Sequence, residues 1–540
     1  MSRYSVYILS LVLFVLSLIG WRWHEAGIWA ALVFGLLAVL GTWDLLQKAS
    51  TLRRNYPILA HFRYGLESIG PEMRQYFIEA DTAEVPFSRQ QRALVYQRAK
   101  SVNDVRPFGS LQDVYAVDYE WINHSMRPAE HASHDFRVLV GTDTAQPYSV
   151  SVFNISAMSF GSLSANAVRA LNKGAKLGGF YHDTGEGSIA SYHREHGGDL
   201  VWEIGSGYFG CRNPDGSFSE ERFAGNARDP QVKMIELKLS QGAKPGHGGM
   251  LPAPKVTPEI AAARGVPVGE DCISPASHSA FDSPVGLVRF VARLRELSGG
   301  KPVGFKLAIG HPWEWFGIAK AIHETGLLPD FIVVDGAEGG TGAAPAEFID
   351  HVGLPMHEAL MLVHNTLVGL DLRDRIRVAA AGRITSAFDI ARTLAMGADW
   401  CNAGRGFMFA LGCIQSQSCH NDRCPTGVAT QDPSRWRHLD VDDKAVRVAG
   451  FQQNTLKALR DLLCAAGLGG PEELGPEHIL RRVSPIEVRS LAALYRFLEP
   501  GELLRGVPEH QVFRNFWAEA RSDSFSAPGR VGTMQHSKAS

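Results

Sequence analysis

From about residue 149 the chain falls into a repeating order: a short apolar run, a cluster of glycine or polar residues, a helical stretch, then the next apolar run. The runs cover 149–158 (SVSVFNISAM), 178–185 (GGFYHDTG), 200–205 (LVWEIG), 232–240 (VKMIELKLS), 301–308 (KPVGFKLA), 331–336 (FIVVDG), 377–382 (RVAAAG) and 400–404 (WCNAG). Near-continuous apolar runs of this length mark strands buried on both faces, as in parallel sheets. Helical candidates lie between several of them, at 164–177, 257–264, 284–298, 313–326, 356–370 and 385–397. Eight β/α units predict an α/β chain built on a (β/α)8 barrel; a doubly wound sheet is the competing arrangement.

A barrel places its working residues just after the strands, at the C-terminal face. The polar clusters fall there. Met158-Ser159-Phe160-Gly161-Ser162 follows the first run, Thr184-Gly185-Glu186-Gly187-Ser188 the second, and Gln241 to Gly249 the fourth. Lys306 lies near the end of the fifth, and Gly336 to Gly342, with Gly339, Gly340 and Thr341, follows the sixth. Gly382-Arg383 and Gly404-Arg405 follow the last two. Loops after strands seven and eight of such barrels often hold a phosphate on backbone N–H groups, and an adjacent arginine adds a forked, charged donor. Any one glycine cluster could be a tight turn; the coincidence at so many strand ends favours a site.

Just beyond the eighth run lies Cys413-Ile-Gln-Ser-Gln-Ser-Cys419-His-Asn-Asp-Arg-Cys424-Pro425, a C-x5-C-x4-C triplet holding three of the chain's seven cysteines. Zinc sites favour C-x2-4-C pairs and four ligands. Three wide-spaced thiols closed by proline suit an iron–sulfur cluster short of one iron, [3Fe–4S], with Cys413, Cys419 and Cys424 as ligands. The bland alternative is three unrelated buried thiols. A phosphate-bearing cofactor beside such a cluster suggests FMN, with Lys306 as the cation that stabilises the reduced, anionic ring. Gly205-Ser-Gly207-Tyr-Phe-Gly210 fits G-x-G-x-x-G, but a turn-rich stretch follows where a dinucleotide site needs a helix. The electron donor is therefore expected to be a separate protein.

The N-terminus has a different character. Residues 4–20 and 26–43 carry no charge, Trp21, Trp23, Trp29 and Trp43 flank or enter these runs, and Arg22, His24 and Glu25 separate them. Each run has about the length of a transmembrane helix, roughly 17–25 residues. Arg3 before them and Lys48, Arg53 and Arg54 after them put both ends in the cytoplasm by the positive-inside bias. The expectation is a helical hairpin contacting lipid through residues 4–43 and anchoring a cytoplasmic catalytic body at the inner membrane. A net charge of −2 argues against a nucleic-acid partner.

The blocks MSFGSLS (158–164), TGEGS (184–188), ELKLSQGAKPG (236–246), DGAEGGTGAAP (335–345) and LGCIQSQSCHNDRCPTGVATQDP (411–433) give the chain a family resemblance. In this order they resemble the flavin-binding synthase domain of glutamate synthases, most closely the stand-alone members with an N-terminal membrane hairpin. The resemblance implies that electrons enter at the [3Fe–4S] cluster and pass to FMN, and that hydride is delivered to 2-iminoglutarate formed from 2-oxoglutarate and ammonia. It implies that Lys238, Lys244 and Arg264 line the keto-acid and flavin region, and that Glu186 orients ammonium or shuttles a proton. Lys244 and Lys306 join Glu186 as expected catalytic groups, and Met158, Ser159 and Gln241 are expected against the flavin.

The sequence also departs from the family pattern. His247 stands where a glutamate is common, and Met250 where a glutamine helps hold 2-oxoglutarate; methionine cannot donate that bond. Another 2-oxo acid or another amine is therefore an open alternative. A non-catalytic electron-transfer or redox-sensing module is a further one. The chain begins Met1-Ser2-Arg3 rather than with the nucleophilic cysteine of the larger enzymes, so nitrogen is expected as free ammonia or from a partner. The expected organisation is a hairpin over 1–47, a flanking segment over 48–145, the barrel with its iron–sulfur loop over 146–435, a helical segment over 436–520 and a disordered tail over 521–540.

Overall fold

The structure, a computed structural model, describes residues 3–47, 49–80, 86–131 and 133–527. Lys48 and residues 528–540 of the expected tail lie outside the described residues. The chain forms two units, residues 1–83 and 84–540.

In the first unit, α1 (Ser5–Gly20) and α2 (Ala26–Leu46) form an antiparallel pair. Tyr7 Oη and Thr42 Oγ1 are hydrogen-bonded at 2.8 Å, and Gly35 leaves room for the ring of Phe14. The apolar side chains of both helices face outward rather than into a core. By length and composition α2 is able to cross a membrane; α1, at 16 residues, is apolar but shorter than the uncharged run suggested. A further helix, α3 (Leu59–Met73), continues into a π-helical turn at Arg74–Ile78.

The second unit is a closed parallel barrel of eight strands: β1 (Phe153–Ile155), β2 (His182–Asp183), β3 (Leu200–Ile204), β4 (Val232–Lys238), β5 (Val303–Leu307), β6 (Phe331–Asp335), β7 (Arg377–Ala381) and β8 (Trp400–Ala403). Each pairs with the next, and β8 closes on β1 through Cys401 opposite Phe153. All eight fall within the runs read from the sequence, because strands covered on both faces must be apolar nearly throughout. The 149–158 run is divided: Tyr148–Ser151 pairs antiparallel with Arg137–Val140 outside the barrel, and only Phe153–Ile155 enters it.

The helices follow the expected segments. α4 (Ala165–Gly178) starts at Ser164, whose Oγ accepts from Ala167 N, and stops at Gly179 with φ +68°. Its small-residue face packs under α6 (Val441–Ala466), where Gly174 leaves no space for a methyl beside Val448. Between them in the chain, α5 (Pro258–Arg264) is capped by Thr257 and ends at Gly265.

Two expectations are corrected. The expected helical segment over 436–520 is not helical throughout: Ile479–Ser484 and Glu487–Ser490 make a hairpin whose first strand pairs with Glu120–Ile122, and a turn of helix follows at Leu491–Leu494. The pairing is fixed by Glu120, which accepts from Arg481 at 2.6 Å and Arg392 at 2.7 Å. Residues 521–527 are also not a free tail, since Ser522 O accepts from Val285 N and Phe525 packs against the core.

Candidate active site

The loops after β2 and β4 meet over the barrel mouth. Glu186 Oε1 lies 2.9 Å from Lys238 Nζ, and the same ammonium donates to Gln241 Oε1 at 2.7 Å. Two glycines make room for this carboxylate. A methyl on Gly249 would stand 2.7 Å from Glu186 Oε1, and one on Gly205 would stand 2.7 Å from Oε2. Gly205 opens the misleading G-x-G-x-x-G stretch, so its small size serves close approach to Glu186. No helix begins there; the next one starts at Glu220.

Lys244 and Arg264 complete the group. Both are buried, and Arg264 closes α5 with its Nη2 donating to Phe160 O at 3.1 Å and its guanidinium over the Phe209 ring. Gly161 and Gly187 press against that Nη2, so the loops after β1 and β2 converge on it. Burial alone would raise the Glu186 carboxyl; Lys238, with Lys244 and Arg264, outweighs it and brings it down to about 2. Burial lowers Lys244 below the ordinary lysine range. The result is one ionised carboxylate facing three cations. Such an excess of positive charge in a partly closed mouth suits a dianionic ligand.

Beneath this group the barrel interior holds Asp183, Glu203 and Glu236, all buried, with carboxylate oxygens within 4.8 Å of one another. Lys306 Nζ contacts Glu203 and lies 3.2 Å from Glu236. In this structure Lys306 is thus engaged downward with acids, and it already supplies the trio with a cation. Three carboxylates and one ammonium cannot all stay ionised in so enclosed a space. Burial, then the neighbouring Glu203, raises Asp183 to about 7, and Glu236 is likewise raised by burial and Asp183. The sequence reading passed over these acids, although a charge inside an apolar strand run is itself a signal.

The loops after β6, β7 and β8 form a second corner. Arg405 Nη2 donates to Glu338 O at 2.6 Å, and a methyl on Gly340 would stand 2.8 Å from Arg405 Nε. Glu338 accepts from Met356 N at 3.0 Å, and Gly336 and Gly382 lie against its carboxylate. Arg383 adopts φ +48°. Burial and the nearby Arg383 push Arg405 down to about 10. Among the described residues neither guanidinium forms a salt bridge. Two converging cations beside Gly339, Gly340 and Gly382 are a donor set for a phosphate. Thr341 lies in the same loop and Gly404 directly precedes Arg405. Met158 Sδ approaches Gly404 to 3.7 Å measured from an added methyl, and Ser159 N abuts Gly185, which joins the loop after β1 to both corners.

The three cysteines sit on the loop that leaves this corner. Cys413, Cys419 and Cys424 are free thiols, and an added methyl on Gly342 would lie 4.0 Å from Cys419 Cβ. Lys255 Nζ donates to Cys419 O at 2.8 Å. Burial pushes Cys413 up to about 12; Cys424 is lowered, because Thr426 Oγ1 and backbone N–H groups of residues 426–429 outweigh its burial.

The flanking segment, in which sequence reasoning found no chemistry, supports this loop. Ser88 caps Arg89–Ala99 in a capping box with Gln91. Tyr96 Oη donates to Cys413 O at 2.6 Å, Gln415 Nε2 donates to Phe87 O at 3.2 Å, and Arg405 lies over the Phe87 ring at 4.6 Å. His247 and Met250 are exposed; the His247 ring abuts Phe348, and Met250–Leu251 pairs antiparallel with Cys272–Ile273 in a two-stranded ladder.

Residues 122–469 match the family model described as a conserved region in glutamate synthase. The chain is 37% identical over 501 residues to the glutamate synthase large subunit-like protein YerD of Bacillus subtilis (strain 168), covering 84% of this chain and 95% of that protein. It is 35% identical over 330 residues to the archaeal-type glutamate synthase (NADPH) of Thermotoga sp. (strain RQ2), covering 61% of this chain and 62% of that protein. It is 37% identical over 321 residues to the archaeal glutamate synthase (NADPH) of Methanocaldococcus jannaschii, covering 59% and 60%. The chain spans about three fifths of the length of these two relatives. A family model that takes in the whole barrel, together with a relative matched along nearly its full length, makes the chain a member of the glutamate synthase family.

Proposed function

We propose that the chain is a glutamate synthase-type oxidoreductase in which a 2-oxo dicarboxylic acid and ammonia condense at the Glu186–Lys238 corner. As a family member it is an oxidoreductase acting on CH–NH2 donors. The observation that carries the finer reading is the convergence of Lys238, Lys244 and Arg264 on one ionised carboxylate at the barrel mouth. The cations would hold the two carboxylates of 2-oxoglutarate. Glu186, ionised at neutral pH, would hold and orient ammonium beside the keto carbon. Lys306 and the acids beneath it would keep the barrel floor polar.

The corner of Gly339, Gly340, Thr341, Gly382, Arg383, Gly404 and Arg405 fits the phosphate of FMN, with Met158, Ser159 and Gln241 placed between that corner and the substrate groups. FMN bound there would supply hydride to the imine carbon. Cys413, Cys419 and Cys424 would hold a [3Fe–4S] cluster; the reading is supported by three free thiols on one loop beside the β6 loop. Electrons would reach it from a separate donor protein. The hairpin α1–α2 would anchor the chain in the inner membrane with the catalytic body in the cytoplasm; the length of α2 and the outward apolar faces support this.

Met250 favours a second reading. It is exposed beside Gly249 and offers no hydrogen-bond donor, so another 2-oxo acid is the alternative substrate on the same site. The test is anaerobic. Protein with chemically reduced flavin is mixed with ammonium and 2-oxoglutarate, or with a panel of other 2-oxo acids. Flavin reoxidation with formation of glutamate supports the first reading; reoxidation by a different acid alone supports the second; reoxidation by none overturns both.

A further inference from the structure

Within the first unit, α2 hands the chain to α3 through a tight clamp. Asp44, fully buried near the end of α2, accepts from the backbone N–H of Ile58 at 3.0 Å and faces His61 Nε2 at 2.8 Å. Gln47 Nε2 donates to both Asp44 O and Ser50 O, Ser50 N donates back to Gln47 Oε1, and Ser50 Oγ meets Tyr64 Oη at 3.2 Å. These bonds fix the first turn of α3 at the level of the Trp43 end of α2. Past that turn the helix has little to pack against within its unit.

The free length is patterned. Leu59, Phe62, Leu66, Ile69 and Met73 follow one another at steps of three and four, which puts them on one face of a helix. Each is between 44% and 71% exposed, and Phe77 in the π-helical turn is exposed further still. His61, Arg63, Glu67, Ser68 and Glu72 are among the positions off the row, with Arg63 and Glu67 paired at 2.8 Å. Single exposed apolar residues are ordinary; an in-phase apolar row this long marks a surface that something covers.

Its occupant follows from continuity. The outer faces of α1 and α2 carry the same chemistry, with Ile8, Val12, Leu36 and Val39 exposed, and α2 is long enough to cross a bilayer. The Asp44 clamp brings α3 out at the end of that span, where headgroups meet acyl chains. A helix with an apolar row on one side and mixed charge on the other is suited to lie in that layer. We propose that α3 and its π-helical extension, residues 59–78, lie flat in the lipid interface with the apolar row turned into the acyl boundary, as a third membrane-contacting element. This rests on the reading of α1 and α2 as membrane-inserted.

Photo-crosslinking separates the two claims. The full chain is reconstituted into phosphatidylcholine–phosphatidylglycerol vesicles with p-benzoylphenylalanine at one position at a time: Phe62, Leu66 or Ile69 on the row, Glu67 or Ser68 off it, and Leu36 in α2 as the depth control. After irradiation, lipid adducts are counted by mass spectrometry. The expected result is adducts at Leu36 and at all three row positions, at least five-fold above those at Glu67 and Ser68. Adducts at Leu36 but protein–protein crosslinks, or none, on the row would overturn the proposal and leave the hairpin reading standing. An absence of lipid adducts at Leu36 as well would overturn the hairpin reading, and the proposal with it.

Discussion

Lys238 holds Glu186 and Gln241 at once, at 2.9 Å and 2.7 Å, so one ammonium ties the loop after β2 to the loop after β4. Removing it with Lys238→Met leaves the Glu186 carboxyl buried without its principal counter-charge. Its pKa should rise from about 2 toward or above the ordinary carboxylate range. The acid limb of the kcat/KM profile should then move to higher pH, and kcat/KM at neutral pH should fall about 10- to 100-fold, the range for losing one charged hydrogen bond. A profile that falls without moving along the pH axis would show that Lys238 acts on substrate alone.

Asp183 carries the opposite pH signature. Its folded pKa of about 7 exceeds the unfolded value near 3.8, so the native state binds more protons between those limits. Stability contributed by this group is therefore present below about pH 4 and is lost as pH rises to about 7. A tenfold difference in proton affinity between the folded and unfolded chain is worth about 1.4 kcal/mol. Asp183→Asn should flatten this part of the curve, read as chemical-denaturation midpoint against pH from 4 to 8. Equal slopes for both proteins would mean the acid trio does not retain its proton.

His193 works in the reverse sense. Burial lowers it to about 3, and unfolding restores a value near 6.5. Its contribution is present above pH 6.5 and is lost as pH falls toward 3. His193→Gln should reduce the acid sensitivity of the denaturation midpoint between pH 6 and 4, whatever it does to the midpoint at pH 7.

The phosphate corner is tested by bulk. A methyl at Gly382 would meet Glu338 Oε1 at 2.7 Å, and one at Gly340 would meet Arg405 Nε at 2.8 Å. Gly340→Ala, where the neighbour is a side chain able to shift, should fold and yet retain less than half the wild-type flavin after gel filtration. Unchanged flavin content would move the cofactor away from this corner. Far-UV circular dichroism supplies the folding control.

Cys419→Ser should abolish protein-bound iron while the dichroism spectrum stays that of the wild type, because the thiol contributes little to the barrel core. Iron retained at the wild-type ratio would refute a cluster on this loop.

The barrel was legible because its strands are covered on both faces, so the apolar runs mark them without help from distant residues. Helix ends were legible where the cap is local, as at Ser88, Ser164 and Thr257. What escaped was set by distant partners. Within the expected helical segment, residues 487–490 pair instead with the neighbouring 479–484, and the other edge of that hairpin is held by Glu120–Ile122, more than 350 positions earlier. The acids Asp183, Glu203 and Glu236 stood in plain view within strand runs, but their meeting depends on barrel closure. The Phe87–Arg405 contact left no trace in the sequence.

That contact bears on where the molecule can be cut. Phe87 and Tyr96 precede the region shared with the family, yet they buttress the cysteine loop and the arginine of the phosphate corner. A fragment trimmed to the barrel boundaries would keep every strand and all three cysteines and still lose the contacts that support their loop. Pieces that start at the barrel should therefore carry less iron per protein than the full chain even when well folded.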